Sequence, residues 1–229
     1  HPILQEFTVR FLPLLLLPVS IWAQAELRPP ATPLITHDPY FSVWSMADNL
    51  TSEDTKHWTE TPQPLGGLIR VDGKAFRFMG ADPEEVPVMK QVSLTVTPTR
   101  TIYDFEAAGV SLRLTFLTPA FAADLDVLSR PVTYVIWSVK QAAGTPRMVD
   151  VFLDATSQMA VNSFDQKVNW SRIRSGGVSA LRAGSAVQEV LARSGDNLRI
   201  DWGHFYLALP PASGAELAVG TSAMQMQFA

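Results

Sequence analysis

Cysteine is absent from all 229 residues. That removes a disulfide framework, a thiol nucleophile, a thiolate-ligated zinc or iron–sulfur centre and a lipid-modified cysteine from consideration. Histidine is scarce as well. Beyond His1 there are His37, His57 and His204, and no two of them have the i, i+4 spacing of a helical metal pair, so no metal site is expected. The chain has no G-x-S-x-G elbow, no phosphate-cradling glycine loop and no dinucleotide fingerprint, which leaves hydroxyl nucleophiles and nucleotide cofactors without support, and no cofactor is expected. Basic clusters are also missing, and the formal net charge is -4. A phosphate backbone needs a positive footprint, so nucleic acid is excluded as a partner.

What is present describes a globular, exported protein. Hydrophobic residues make up 47% and charged residues 17% of the sequence, an ordinary composition for a packed domain. Arg10 precedes an apolar stretch from Phe11 to Trp22, followed by the small-x-small triplet Ala23-Gln24-Ala25. The stretch is shorter than the ~18 apolar residues of a membrane span and is interrupted by Pro13 and Pro18. It is expected to be a signal peptide (residues 1–25, incomplete at its start because the chain opens on His1), cleaved to leave Glu26 first. The mature protein is then periplasmic or extracellular and free of the membrane.

Residues 26–66 form a proline- and aromatic-rich lead, in which Arg28-Pro29-Pro30 and Thr32-Pro33 favour extended chain. Residues 67–229 carry the pattern of an all-β, antiparallel β-sandwich. Leu68–Val71 and Lys74–Met79 flank Asp72-Gly73, the dipeptide of a tight hairpin. Val92–Thr97 and Val110–Phe116 alternate apolar with polar residues, as half-buried strands do. Val132–Val139 is almost continuously apolar and is expected to be a strand buried on both faces, with Trp137 in the core. Further strands are expected at Met148–Leu153, Gln158–Asn162, Val168–Ile173 and Leu198–Leu209, and a helix at Ala186–Arg193. The alternation of Met224, Met226 and Phe228 with Gln225 and Gln227 predicts a last strand running to Ala229, so that the sandwich is truncated at its C-terminal end.

Carboxylate pairs could serve hydrolytic chemistry if burial separated their pKa values. The candidates are Glu53/Asp54, Glu84/Glu85, Asp124/Asp126 and Asp150/Asp154; a solvated surface is the default reading of each, and no catalytic residue is assigned. Only Asp150 and Asp154 lie close to an expected core strand. The aromatics are more suggestive. Tyr40, Phe41, Trp44, His57 and Trp58 crowd into one polar, proline-flanked region, and loops rich in large rings serve either binding or packing against a following domain. Tyr40, Trp44, His57 and Trp58 are accordingly the candidate residues for substrate binding or domain docking.

The same region carries a resemblance. Arg28-Pro29-Pro30, Pro33-Leu34, Pro39 to Trp44, His57-Trp58, Gly67 to Gly73, Thr97 to Thr101, Leu114 to Pro119 and Ser129 to Tyr134 together resemble the N-terminal region of the secreted glutaminase A family, from Leu27 to the end of the chain. The resemblance implies a β-sandwich that precedes a helical toroid of the six-hairpin kind in the same polypeptide, with a small-molecule substrate. The family activity it implies for the complete protein is hydrolysis of glutamine to glutamate and ammonia, with this segment alone inactive. Two other functions fit the sequence: the N-terminal sandwich of a glycosidase-like six-hairpin enzyme, or a carbohydrate-binding module using Trp44, Trp58 and Trp202.

Overall fold

The computed structural model describes residues 29–142, 144, 146–199, 201–210 and 214–229. The expected signal peptide lies outside the described residues. The protein is an all-β, antiparallel sandwich, as its pattern of short alternating strands predicts. Strands β1 (Thr32–Asp38), β2 (Phe41–Ser45) and β3 (Lys56–His57) make a small first sheet, followed by β4 (Leu65–Val71) and β5 (Lys74–Met79). Next come β6 (Lys90–Thr97), β7 (Arg100–Ala107) and β8 (Val110–Leu117), a short helix α1 (Leu125–Leu128), and β9 (Tyr134–Gln141), which closes a four-stranded sheet in the order β6-β7-β8-β9. Strand β10 (Val149–Ala155) returns to pair with β4, giving the order β10-β4-β5. Strands β11 (Val168–Ser175), β12 (Val178–Ser185) and β13 (Phe205–Leu209) form a further meander, and helix α2 (Ala223–Phe228) ends the chain.

The β10-β4-β5 and β6-β7-β8-β9 sheets face one another across the core. Period-2 alternation explains which residues they contribute: Tyr103, Phe105, Leu112, Leu114 and Phe116 from one sheet, Ile69, Val71 and Phe78 from the other, all buried. Phe78 and Phe105 meet with ring centroids 6.1 Å apart. The first sheet is tied to this sandwich by Leu34, Ile35 and Val43, which join the same apolar cluster, and by the Thr101 hydroxyl, which donates to the Pro33 carbonyl at 2.6 Å.

The Asp72-Gly73 hairpin forms as expected, with φ of 49° and 82° at its two central residues and Val71 opposite Lys74. Both angles lie in the left-handed region that a two-residue hairpin requires. Asp72 has a second task. Its carboxylate accepts from the Met148 backbone N–H at 2.9 Å and from Arg147 at 2.7 Å, pinning the entry to β10 beside the turn.

Five local expectations are corrected. The Met224–Phe228 alternation belongs to helix α2, not to a strand: Ala, Met and Gln are good helix formers, and the i, i+3 pair Gln225 and Phe228 reaches the outer face of the β10-β4-β5 sheet, where Phe228 packs on Phe152 at 5.2 Å. Residues 186–193 form bends and turns instead of a helix. There the Gln188 side chain donates to the Ser185 carbonyl and accepts from Gly203 N–H, side-chain bonds that compete with helical ones. Gln158–Asn162 contains a 3₁₀ turn, Ser157–Ala160, that sinks Met159 fully into the core. The expected strand Leu198–Leu209 shortens to β13. Finally, β9 is buried on one face only: Tyr134 and Ile136 are 53% and 45% exposed, whereas Val135, Trp137 and Val139 pack half-buried against the core. The continuous apolar run therefore conceals an ordinary alternation.

Candidate functional site

The aromatic region is organised by the turn between β1 and β2. Asp38 accepts from the backbone N–H groups of Tyr40 and Phe41 at 2.8 and 3.0 Å, an Asx-type turn that fixes the backbone around Pro39. That carbonyl is the hub of the site, since the Trp58 indole N–H donates to it at 2.6 Å and His57 Nε2 lies 3.0 Å from it. Because an acceptor faces Nε2, the proton sits there and Nδ1 is the acceptor of the ring; Thr59 Oγ1 lies 2.9 Å from Nδ1. The Thr59 hydroxyl is 3.4 Å from that of Thr61, and Thr61 accepts from Arg199 Nη1 at 2.8 Å. A continuous polar chain thus runs from the Pro39 carbonyl through His57, Thr59 and Thr61 to Arg199.

The four candidate residues are distributed unequally. Tyr40 and Trp58 are the outer surface, 41% and 46% exposed, while His57 is completely buried, with both ring nitrogens engaged. The His57 and Trp58 rings lie 5.6 Å apart. Trp44 stands apart from this group. Val43 pairs with His57 and Trp44 with Lys56, so the alternation of β2 turns Trp44 to the opposite face, where its indole donates to Ser42 Oγ at 2.7 Å. On the neighbouring hairpin His37 stacks on Phe41 at 5.7 Å, and Phe41 meets Phe205 of β13 at 6.0 Å.

Burial sets the electrostatics of both histidines. It is the largest influence on His57 and pushes its pKa below 6.5, aided by the Arg199 charge and opposed by the Pro39 carbonyl; burial likewise lowers that of His37, with Asp38 opposing. A folded-state pKa below the unfolded one gives stability that is fully present above about pH 6.5 and lost as pH falls through the folded values. The melting temperature is therefore expected to hold above about pH 6.5 and to decline from there toward pH 5 in a pH series of thermal melts. A flat or rising profile across that window contradicts this assignment.

The carboxylate pairs separate into individual roles. Glu53 pairs with Lys56 and Asp54 accepts from Ala81 N–H. Asp124 caps α1, and Glu84 and Glu85 lie exposed in their loop. Asp150 and Asp154 share a face of β10, but four residues of strand separate them by about 13 Å, beyond the spacing of an acid–base pair. Asp150 is bridged to Arg70 at 3.0 Å. Asp154 lies against Gly66, where a Cβ would come within 2.0 Å of its Oδ1, and Gln225 of α2 donates to it at 2.8 Å. Burial raises the Asp154 pKa above its ordinary 3.8. Among the described residues no group of three or more His, Asp or Glu side chains could hold a metal ion, and no helix is long and apolar enough to cross a membrane.

Comparison with known proteins places this geometry. The family described as Domain of unknown function (DUF5127) matches residues 99–229, more than half of the chain. The chain belongs to this family. A second family, Domain of unknown function (DUF4964), matches residues 19–91. Glutaminase A of Aspergillus oryzae (strain ATCC 42149 / RIB 40) is 25% identical over 202 residues, which cover 84% of this chain and 29% of that protein. The resemblance to the glutaminase A N-terminal region, drawn from the aromatic and hairpin motifs, is thus found again by comparison. The chain spans less than a third of the length of this relative. No solved structure matches it.

Thr59, Thr61 and Arg199 are the members of the polar chain that sequence reasoning did not single out, and Arg199 is the most distant. It lies 138 positions from Thr61, in a segment without any recognisable motif, and only folding brings the two together.

Proposed function

We propose that this chain is the non-catalytic N-terminal sandwich of an exported glutaminase-A-like hydrolase, and that the Tyr40–Trp58 surface docks the helical toroid that follows in the same polypeptide and borders its substrate cleft. The observation that carries the reading is the similarity to glutaminase A, which spans most of this chain and under a third of that protein. The geometry agrees with it. Two large rings stay exposed at neighbouring turns, with the Trp58 indole fixed on the Pro39 carbonyl, and exposed aromatics of this kind serve as anchors of domain contacts. Asp150 and Asp154 stand about 13 Å apart along β10, too far for a hydrolytic dyad, and the proposal puts the reaction in the toroid. The protein is exported by the 1–25 leader and acts in the periplasm or outside the cell.

The test is ammonia release from glutamine by the full-length protein and by residues 26–229 alone. Activity is expected in the first and none above the buffer control in the second. Ammonia release by the segment alone overturns the division of labour. In the full-length protein Trp58→Ala is expected to weaken the toroid contact or raise KM, with a loss of about 1–3 kcal/mol; unchanged stability and kinetics would show that the ring serves local packing only.

A further inference from the structure

The sandwich has an open side. Strands β9 and β10 are edge strands, each hydrogen-bonded to one neighbour among the described residues, β8 and β4 respectively. They lie on the same side, because Gln141 at the end of β9 and Arg147 just before β10 hold one another: the Arg147 backbone N–H donates to Gln141 Oε1 at 2.9 Å, and Gln141 Nε2 donates to the Arg147 carbonyl at 3.0 Å. The side chains that these strands turn inward are Val135, Trp137 and Val139 on β9 and Val149, Val151 and Leu153 on β10. All six pack against the core and keep part of their surface in solvent, whereas Ile69, Leu112 and Leu114 on the inner strands are completely buried.

The backbone of β10 opens to the same side. Val71 and Lys74 flank the two-residue Asp72-Gly73 turn, and the pair closing such a turn is hydrogen-bonded. By the alternation of an antiparallel ladder, Val71 and Ile69 direct their backbone groups to β5, while Arg70, Leu68 and Gly66 direct theirs to Asp150, Phe152 and Asp154 opposite on β10. The bond from the Asp72 N–H to the Met148 carbonyl continues this alternation. The N–H and C=O groups of Val149, Val151 and Leu153 therefore point away from β4, along an edge with which no described strand pairs. A free edge beside a half-covered apolar row fits an added strand, which supplies main-chain bonds to the edge and alternate side chains to the seam. The path of the chain names the occupant. Helix α2 lies on the outer face of this sheet, with Gln225 donating to Asp154, the Phe228 ring 5.2 Å from that of Phe152, and the Phe228 carbonyl accepting from Arg70 Nη1 at 3.1 Å. Residue 229 is thereby delivered beside β10.

We propose that an extended segment following residue 229 in the same polypeptide adds to the free edge of β10, its inward side chains covering Val149, Val151 and Leu153 and reaching the Trp137 ring across the seam. The continuation then enters the sandwich before it enters the toroid. The inference rests on the reading under which the polypeptide continues, this chain matching 29% of the length of glutaminase A. Residue-resolved hydrogen–deuterium exchange on the unaltered full-length protein tests it. The amides of Val149, Val151 and Leu153 are expected to exchange within about tenfold of the rates of Asp150, Phe152 and Asp154, which bond to β4. Faster exchange than that at the three edge amides overturns the proposal. Light scattering on a dilution series identifies the source of the protection. Protection that persists in the monomer supports a strand from the same polypeptide, and protection lost as a dimer dissociates assigns the edge to a second copy and overturns it. Ammonia release from glutamine, measured on the same preparation, separates the two readings. Unprotected edge amides in a protein that hydrolyses glutamine overturn the added strand alone, and protected edge amides in one that does not overturn the glutaminase reading alone.

Discussion

Phe78→Ala is expected to cost about 3–5 kcal/mol of folding stability, the range for removing a fully buried phenylalanine ring. Phe78 has no exposed surface and sits where the two main sheets meet, 6.1 Å from Phe105. The strand beneath it has been cleared to make room. A Cβ at Gly67 would stand 2.3 Å from the Phe78 ring, so ring and glycine are a matched pair. The cavity left by alanine cannot be filled from below, because the β4 backbone is held there by pairing with both β5 and β10. Gly67→Ala should fail from the opposite direction, by overpacking at about 1–3 kcal/mol. Urea denaturation of both variants measures the effects, and a loss below about 1 kcal/mol for Phe78→Ala would show that the core repacks around the gap.

Arg77→Met is expected to cost about 2–5 kcal/mol, because it strips the donor from two backbone carbonyls that have few alternatives. The Arg77 residue is only 6% exposed. Its Nη1 donates to the carbonyls of Thr51, at 2.8 Å, and Gly80, while its own backbone exchanges bonds with Pro87 and Met89. The side chain thus gathers two loop segments, and the backbone of the same residue a third. Burial lowers its pKa, and the surrounding charges of Asp82, Glu84 and Asp54 work in the other direction to keep it protonated. Arg77→Lys should recover only part of the loss, since an ammonium group lacks the planar fork. Equal stability of the lysine variant and the parent protein in denaturant titrations would show that charge alone is what the site needs.

The sandwich was legible because its strands obey period-2 alternation and its tightest turn has a specific chemistry. Strand β8 and the Asp72-Gly73 hairpin are read directly from Val110–Phe116 and from the two residues that accept positive φ. Strand β7 escaped notice although Thr101, Tyr103 and Phe105 alternate inward, because a polar Thr101 on the inner face and an apolar Ile102 on the outer one blur the alternation. Asp104 turns out to be a surface partner of Arg113 on the adjacent strand, at 2.7 Å. At the chain end, five alternating residues satisfied the strand template as well as the helical one, and only contact with Phe152 decides between them. Composition drew attention to Tyr40, His57 and Trp58, and the fold holds His57 and Trp58 on the carbonyl of Pro39, next to Tyr40. Composition could not say which rings face out, because that depends on the register of β2 against β3, which buries His57 and turns Trp44 away. Arg199 was invisible for a different reason: its bond to Thr61 joins positions 138 residues apart, which no local pattern can announce.

The apolar core has a consequence for how this protein can be divided. Leu34, Val43, Ile69, Phe78 and Met89 come from the segment matched by one family, and Tyr103, Phe105, Leu112, Phe116 and Met159 from the segment matched by the other, yet all belong to a single cluster. Neither segment encloses a hydrophobic interior of its own. The border between the two families, in residues 92–98, therefore divides inheritance without dividing the folding unit. A gene rearrangement that carried off one segment would export half an interior, and the two must travel through evolution as a linked pair.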